Sequence, residues 1–254
     1  MTEQLEKEKN YLLKVFLNKL PNNNPFIVLV SEEKELLMIS SGNDNSVGTS
    51  LSKITQYRDI YNTVLDLKNK IGFSLEKAIE YAYCKEVQEK YNMMHSSREK
   101  EWSAYYYIEN AMFRVETLWD ILAHIYNIKF DLEEPINKVY HSRIFSDRER
   151  YKNKYWNGAP PSEVIKIIDY INEEDDTSGE YWSGNYAFIN SMRNNMTHKF
   201  SISQSNMSSF ALEFKHHPSF ILKRLCESFA MLQDFVYEVC ESILIEMEEN
   251  DYGE

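Results

Sequence analysis

Apolar residues recur at helical spacing along most of the chain. Leu5, Leu12, Leu13, Phe16, Leu17 and Leu20 predict an amphipathic helix from Glu3 to Leu20, stopped by Pro21 and the Asn22–Asn24 run. Two short apolar runs follow, Phe26–Val30 and Leu36–Ile39, on either side of Ser-Glu-Glu-Lys. The first is β-branched, which suggests a small β-hairpin over residues 26–39. Ser40 to Ser50, carrying Gly42, Asn43, Asp44, Asn45 and Gly48, reads as a polar loop. Two helices are then expected: one from Leu51 towards Lys70 that ends near Gly72, and one from an N-cap at Ser74 to about Met94.

The cleanest seam runs from Glu99 to Asn127. Tyr105, Ile108, Met112, Val115, Trp119, Leu122 and Tyr126 are separated by 3, 4, 3, 4, 3 and 4 residues, which holds them on one face of a helix. Ile221, Leu225, Leu232, Val236, Val239 and Ile243 form a second stripe behind Pro218, a residue suited to a helix start. These two segments, Glu99–Asn127 and Ser219–Glu248, are expected to be the longest helices. Between them lie a connector around Pro135, a break at Asn157–Pro161, a short helix from Ser162 to Asn172, an acidic loop from Asp175 to Gly184, and a helix starting near Asn185. The predicted fold is all-α: a helical bundle of long antiparallel helices with an N-terminal extension. Its organisation is either an extension over 1–95 and a bundle over 96–254, or one compact domain.

Composition agrees with that class. Only 7 Gly and 6 Pro occur in 254 residues, too few for the turns of a sandwich or barrel. No apolar run approaches the ~20 residues that span a bilayer, and the N-terminus lacks a secretory pattern, so a cytoplasmic protein without a membrane partner is expected. Cys84, Cys226 and Cys240 are too widely spaced for a disulfide framework or zinc knuckle, and Cys226 and Cys240 on one helix are about 21 Å apart. The net charge of −12 opposes general nucleic-acid coating. Its distribution is uneven, however. From Tyr186 to Arg224, Arg193, Lys199, Lys215, Lys223 and Arg224 face only Glu213, and Lys138–Lys154 is a second basic stretch.

No Gly-rich phosphate loop, metal-ligand spacing or nucleophile elbow is present, and no cofactor is indicated. What stands out is Ser191-Met-Arg-Asn-Asn-Met-Thr-His-Lys-Phe200, which contains Arg193, Asn194 and His198 as Arg-Asn-x3-His. This resembles the HEPN superfamily, helical bundles with an Arg-x4-6-His motif late in the domain, over roughly Glu99 to Glu248. Tyr106–Asp120 looks like the long helix preceding the motif helix. The resemblance implies metal-independent RNA cleavage, with His198 moving protons, Arg193 holding the phosphate and Asn194 orienting one of them. It also implies a homodimer, because HEPN motifs commonly face each other across a cleft. A toxin-like or defence role follows by the same resemblance, and an antitoxin or other protein partner is the corresponding expectation.

Geometry qualifies this picture. Arg193 and His198 diverge by about 140° on an ideal helix, so convergence needs either a helix end near His198 or two subunits. Other roles stay open for each residue. His198 can serve the terminal carbonyls of its helix. Arg193 can pair with Glu116 or Asp120, which share a face and can equally hold a catalytic arginine in place. His216 and His217 are expected to cap the next helix or face solvent. Trp102, Tyr105, Tyr106 and Trp119 read as core more than as base-stacking groups. The polar neighbours of Arg193 and His198 suggest an exposed site whose substitution costs little stability. The competing reading is a non-catalytic helical module that binds a partner protein.

Overall fold

The computed structural model describes residues 3–17, 19–26, 47–146, 155–156, 159–175, 182–198, 200–208 and 211–252. Eight α-helices occur among them: α1 (Glu3–Val15), α2 (Val47–Ala82), α3 (Lys85–Lys90), α4 (Glu99–Lys129), α5 (His141–Ile144), α6 (Ser162–Ile171), α7 (Asn185–His198) and α8 (Pro218–Tyr252). Two minimal antiparallel ladders interrupt them, β1 (Glu174–Asp175) with β2 (Trp182–Ser183), and β3 (Asn206–Ser208) with β4 (Ala211–Glu213). The fold is the all-α bundle read from the periodicity. The hairpin expected over 26–39 lies outside the described residues, apart from Phe26.

The α4 seam does what its spacing requires, since Tyr105, Ile108, Met112, Val115, Trp119, Leu122 and Tyr126 are all buried. Against it run α2, α8 and α7. Lys53 of α2 pairs with Asp131 just beyond α4 at 2.7 Å, and Phe73 meets Tyr107, so α2 is antiparallel to α4. The α8 helix is parallel to α4, joined by Trp119–Phe235 at one level and by Lys129 to Ser242 and Glu246 at another. On α8 also rest α1, through the Tyr11 hydroxyl donating to Glu227 at 3.1 Å, and the segment after it, through Gln233 Nε2 donating to the Phe16 carbonyl and Lys19–Asp234. Buried side chains of α1 and α2 form one continuous cluster with those of α4, α7 and α8. The stop of α4 is built by Asn127, whose carboxamide accepts from the Glu134 N–H and donates to its carbonyl.

Three boundaries differ from expectation. The longest helix is α2, at 36 residues, ahead of α8 at 35 and α4 at 31. It passes straight through Gly72, and Ser74 is no N-cap: its hydroxyl donates back to the Lys70 carbonyl at 2.8 Å. The cause is a buried stripe, Tyr57, Tyr61, Val64, Leu67, Ile71, Leu75, Ala78 and Ala82, that continues across the glycine. Burying each large apolar side chain contributes about 1.5–3 kcal/mol, against roughly 1 kcal/mol lost to a mid-helix glycine. The real break comes at Tyr83–Cys84, where a turn separates α2 from α3. A Cβ on Gly72 meets nothing within 4 Å. Gly72→Ala is therefore expected to stabilise the protein by about 0.5–1 kcal/mol; a lowered melting temperature contradicts the continuous helix.

All three cysteines are free thiols, with Cys226 and Cys240 buried on α8. Burial pushes the Cys240 thiol up to about 12 and Cys226 higher still, so both are inert. Among the described residues, no helix is long and apolar enough to cross a membrane.

Candidate active site

The helix α7 is placed by a tight entry. Gly184 donates its N–H to the Glu173 carbonyl at 2.9 Å and accepts from Phe188 to open the helix; a Cβ there would lie 2.4 Å from that carbonyl oxygen, so only glycine fits. From this start, Tyr186, Ile189 and Arg193 fall on the side of α7 that faces α4. Tyr186 and Ile189 are buried, and the Tyr186 ring packs edge-on against Trp119.

Arg193 reaches α4 with them. Its Nη2 donates to Glu116 Oε1 and its Nη1 to Asn194 Oδ1 at 2.9 Å, while its buried Nε has no hydrogen-bond partner among the described residues. The pair is partly buried, with side-chain exposures of 26% for Arg193 and 14% for Glu116. Of the two carboxylates expected to hold the arginine, Glu116 does so. Asp120 instead accepts from His141, both at the backbone N–H (3.0 Å) and at Nδ1 (2.7 Å). Burial pushes the Asp120 carboxyl up, but these bonds outweigh it and hold the group below its ordinary range. The other ring nitrogen of His141, Nε2, lies 2.7 Å from the Tyr186 hydroxyl oxygen. Burial raises the Tyr186 pKa, so its phenol stays protonated. His141 Nε2 also lies 3.6 Å from Glu116 Oε1, which joins the two clusters behind Arg193.

His141 and Tyr186 were invisible as site residues. His141 lies in the second basic stretch, which reads as solvated surface. Tyr186 reads only as an apolar position at a helix start. Neither has a motif, since their meeting depends on α5 returning to α4.

His198 is the last residue of α7 and is exposed. On the helical wheel it lies about 20° from Ser191 and about 140° from Arg193. The structure therefore brings Arg193, Asn194 and Glu116 together and leaves His198 on another side of the same helix. Thr197 bonds back to the Arg193 carbonyl within α7, so no early unwinding closes the gap. Exposure of the site holds for Asn194 and His198, not for Arg193, whose loss would strand Glu116.

The basic excess between Tyr186 and Arg224 is partly consumed inside the fold. Arg193 is committed to Glu116, and Lys215 is buried against Glu101 at 2.5 Å, with exposures of 0% and 5%. Arg224 lies over the rings of Phe188 and Phe220. His217 caps α8, its Nδ1 accepting from the Ser219 N–H, and burial lowers the pKa of both His216 and His217. Tyr105 and Trp119 are core, whereas Trp102 and Tyr106 are 54% and 48% exposed and stacked on each other.

A helical bundle whose late helix carries Arg-Asn-x3-His is the arrangement that the resemblance to HEPN domains implied. A family model described as HEPN_Cthe2314-like HEPN matches residues 64–250, most of the chain and all of the helices just described from mid-α2 onward. The protein belongs to this HEPN family. No curated protein and no solved structure matches it.

Proposed function

We propose that the protein is a metal-independent endoribonuclease of HEPN type, cytoplasmic and toxin-like or defence-related, in which Arg193 and His198 act on one RNA phosphate. The observation that carries this reading is the anchoring of Arg193: Glu116 grips one edge of the guanidinium and Asn194 another, which fixes a cation on the family's motif helix, whose exposed end carries His198. In the reaction, a 2′-hydroxyl attacks the adjacent phosphorus, the bond to the 5′-oxygen breaks, and a cyclic phosphate and a 5′-hydroxyl result. His198 takes or returns the travelling proton, and Arg193 stabilises charge on the non-bridging oxygens. Asn194 orients Arg193 through its carbonyl oxygen, and Glu116 positions it from α4.

Because one helix aims the two residues about 140° apart, the working site is shared: Arg193 of one copy meets His198 of another across a two-fold axis. A homodimer is therefore expected by light scattering at micromolar concentration, and a monomer at that concentration contradicts the shared site. The test of the activity is incubation of the purified protein with mixed RNA in EDTA beside the His198→Ala variant. Cleavage by the wild type alone supports the proposal.

The second reading is a helical module that binds a partner protein, such as an antitoxin, without catalysis. The same ion pair favours it, since an arginine neutralised by Glu116 has less charge to offer a phosphate. Absence of cleavage on any RNA leaves this reading in place.

A further inference from the structure

The side of α7 opposite Arg193 lines a groove of about 770 Å³, between α7, the 200–204 segment, the 213–217 loop and the start of α8. We propose that this groove is a subsite for a nucleobase, holding one unpaired base of a nucleotide beside His198. In its role as part of an RNA-cleaving site the subsite rests on the ribonuclease reading above; base binding itself does not.

Size comes first. Pockets of about 300–1,000 Å³ are those that hold small molecules, enough for a base and its sugar. The walls are aromatic. Phe188 meets Phe220 edge-on at 5.6 Å, and His216 contacts both rings at 5.6 and 5.4 Å. Phe214, at the lip, is 38% exposed and has no ring partner among the described residues. Arg224 lies over the Phe188 and Phe220 rings, so Phe214 is the ring that offers an exposed face for a flat heteroaromatic ligand to stack against.

Polar side chains share the lining, among them Ser191, Ser201 and the exposed carboxylate of Glu213. Asn195 and Gln204 line the groove, and their side-chain carboxamides make no hydrogen bond among the described residues. Each offers a donor and an acceptor side by side, the pattern that a base edge presents in return. An aliphatic occupant would leave both unused.

The groove is also rigid. Beneath it the Lys215–Glu101 pair is fully enclosed, the Tyr91 hydroxyl donates to the Lys215 carbonyl at 2.5 Å, and the Tyr105 hydroxyl donates to the His216 carbonyl at 2.6 Å. One buried ion pair and two part-buried hydrogen bonds thus hold the loop that carries Phe214 and His216, which is preorganisation of a binding wall. Its position relative to the motif follows from the wheel. Phe188, Ser191, Met192 and Asn195 are groove residues, and His198 continues that stripe one turn beyond Asn195. A base seated in the groove puts its own backbone on the His198 side of α7, away from Arg193 of the same copy.

The test uses the full chain as His198→Ala, so that RNA survives. A fluorescein-labelled single-stranded RNA octamer is titrated and followed by anisotropy. Unlabelled AMP, GMP, CMP and UMP compete in separate arms, with ribose 5-phosphate as the backbone control. Expected results are that at least one mononucleotide displaces the octamer where ribose 5-phosphate does not, and that adding Phe214→Ala weakens base-dependent binding by about fivefold or more. Phe214→Trp should restore it, which separates stacking from misfolding, and Gln204→Ala should change the ranking of the four bases. Mononucleotide binding without octamer binding supports the same subsite with a free nucleotide as its source. Failure of every nucleotide and of the octamer to bind overturns the proposal, as does binding indifferent to Phe214→Ala and Gln204→Ala. Because the readout is binding, a wild type without nuclease activity leaves this result standing, and active cleavage with no base dependence sinks the subsite alone.

Discussion

His198→Ala is expected to lower RNA cleavage by about 10²–10⁴-fold, the usual contribution of a positioned proton-transfer group. The same loss is expected in the presence of EDTA, because the proposed chemistry is run by side chains. Being exposed at the end of α7, His198 can be replaced at little cost to stability, so the loss should appear in a protein with unchanged helicity and melting temperature. Arg193→Ala should cost a comparable amount of rate, about 10²–10³-fold if the guanidinium is the main stabiliser of developing charge. It should also lower stability measurably, because Glu116 is left partly buried without its cation. That difference between the two variants separates this geometry from one in which both residues are free surface groups. Activity persisting unchanged in both would mean a contaminating nuclease or another site.

The largest effect on stability is expected at Glu101. Its carboxylate and the Lys215 ammonium are almost wholly enclosed, with Ser97 bonded to both. Glu101→Gln removes one charge and strands the other, which costs about 3–5 kcal/mol and lowers the melting temperature by roughly 6–20 °C for a domain of this size. Replacing both, as Glu101→Leu with Lys215→Met, should recover most of that loss, since an apolar pair of similar volume avoids the desolvation cost. Thermal unfolding followed by circular dichroism checks both arms. A single variant as stable as the wild type would show that the pair is solvated in solution. The groove above this pair should loosen with it, so nucleotide binding is expected to weaken in Glu101→Gln and to return in the double variant.

The long helices were readable because their seams are regular. Seven α4 positions at alternating three- and four-residue spacing admit only one buried face, and the Pro218 start of α8 and Asn185 start of α7 are local signals that tertiary contacts did not override. Gly72 and Ser74 misled for the converse reason. Both are weak local signals, and the apolar stripe of α2 on either side of them outweighs a glycine's backbone entropy. At the site, the i, i+4 relation of Glu116 and Asp120 was legible as a shared face, and Glu116 was one of the two partners it offered Arg193. Which carboxylate takes the arginine was not legible, because His141 decides it by occupying Asp120, and a short helix in a connector gives no periodic cue. The charge of the 186–224 segment could be counted but not located: burial of Lys215 depends on Glu101, more than a hundred residues away in sequence. The proposed sharing of the site rests on helix geometry, since α7 is intact through His198 and the two motif residues diverge on it.

Mixing the two inactive variants tests that sharing most directly. Arg193→Ala and His198→Ala proteins are combined, dissociated and reassociated, and assayed on RNA in EDTA. In a mixed dimer one cleft carries both substitutions and the other carries neither, so the mixture should regain about a quarter of wild-type activity if subunits exchange freely. A mixture as inactive as its components, beside an active wild type and with mixed dimers shown to have formed, would contradict a site built from Arg193 of one subunit and His198 of the other.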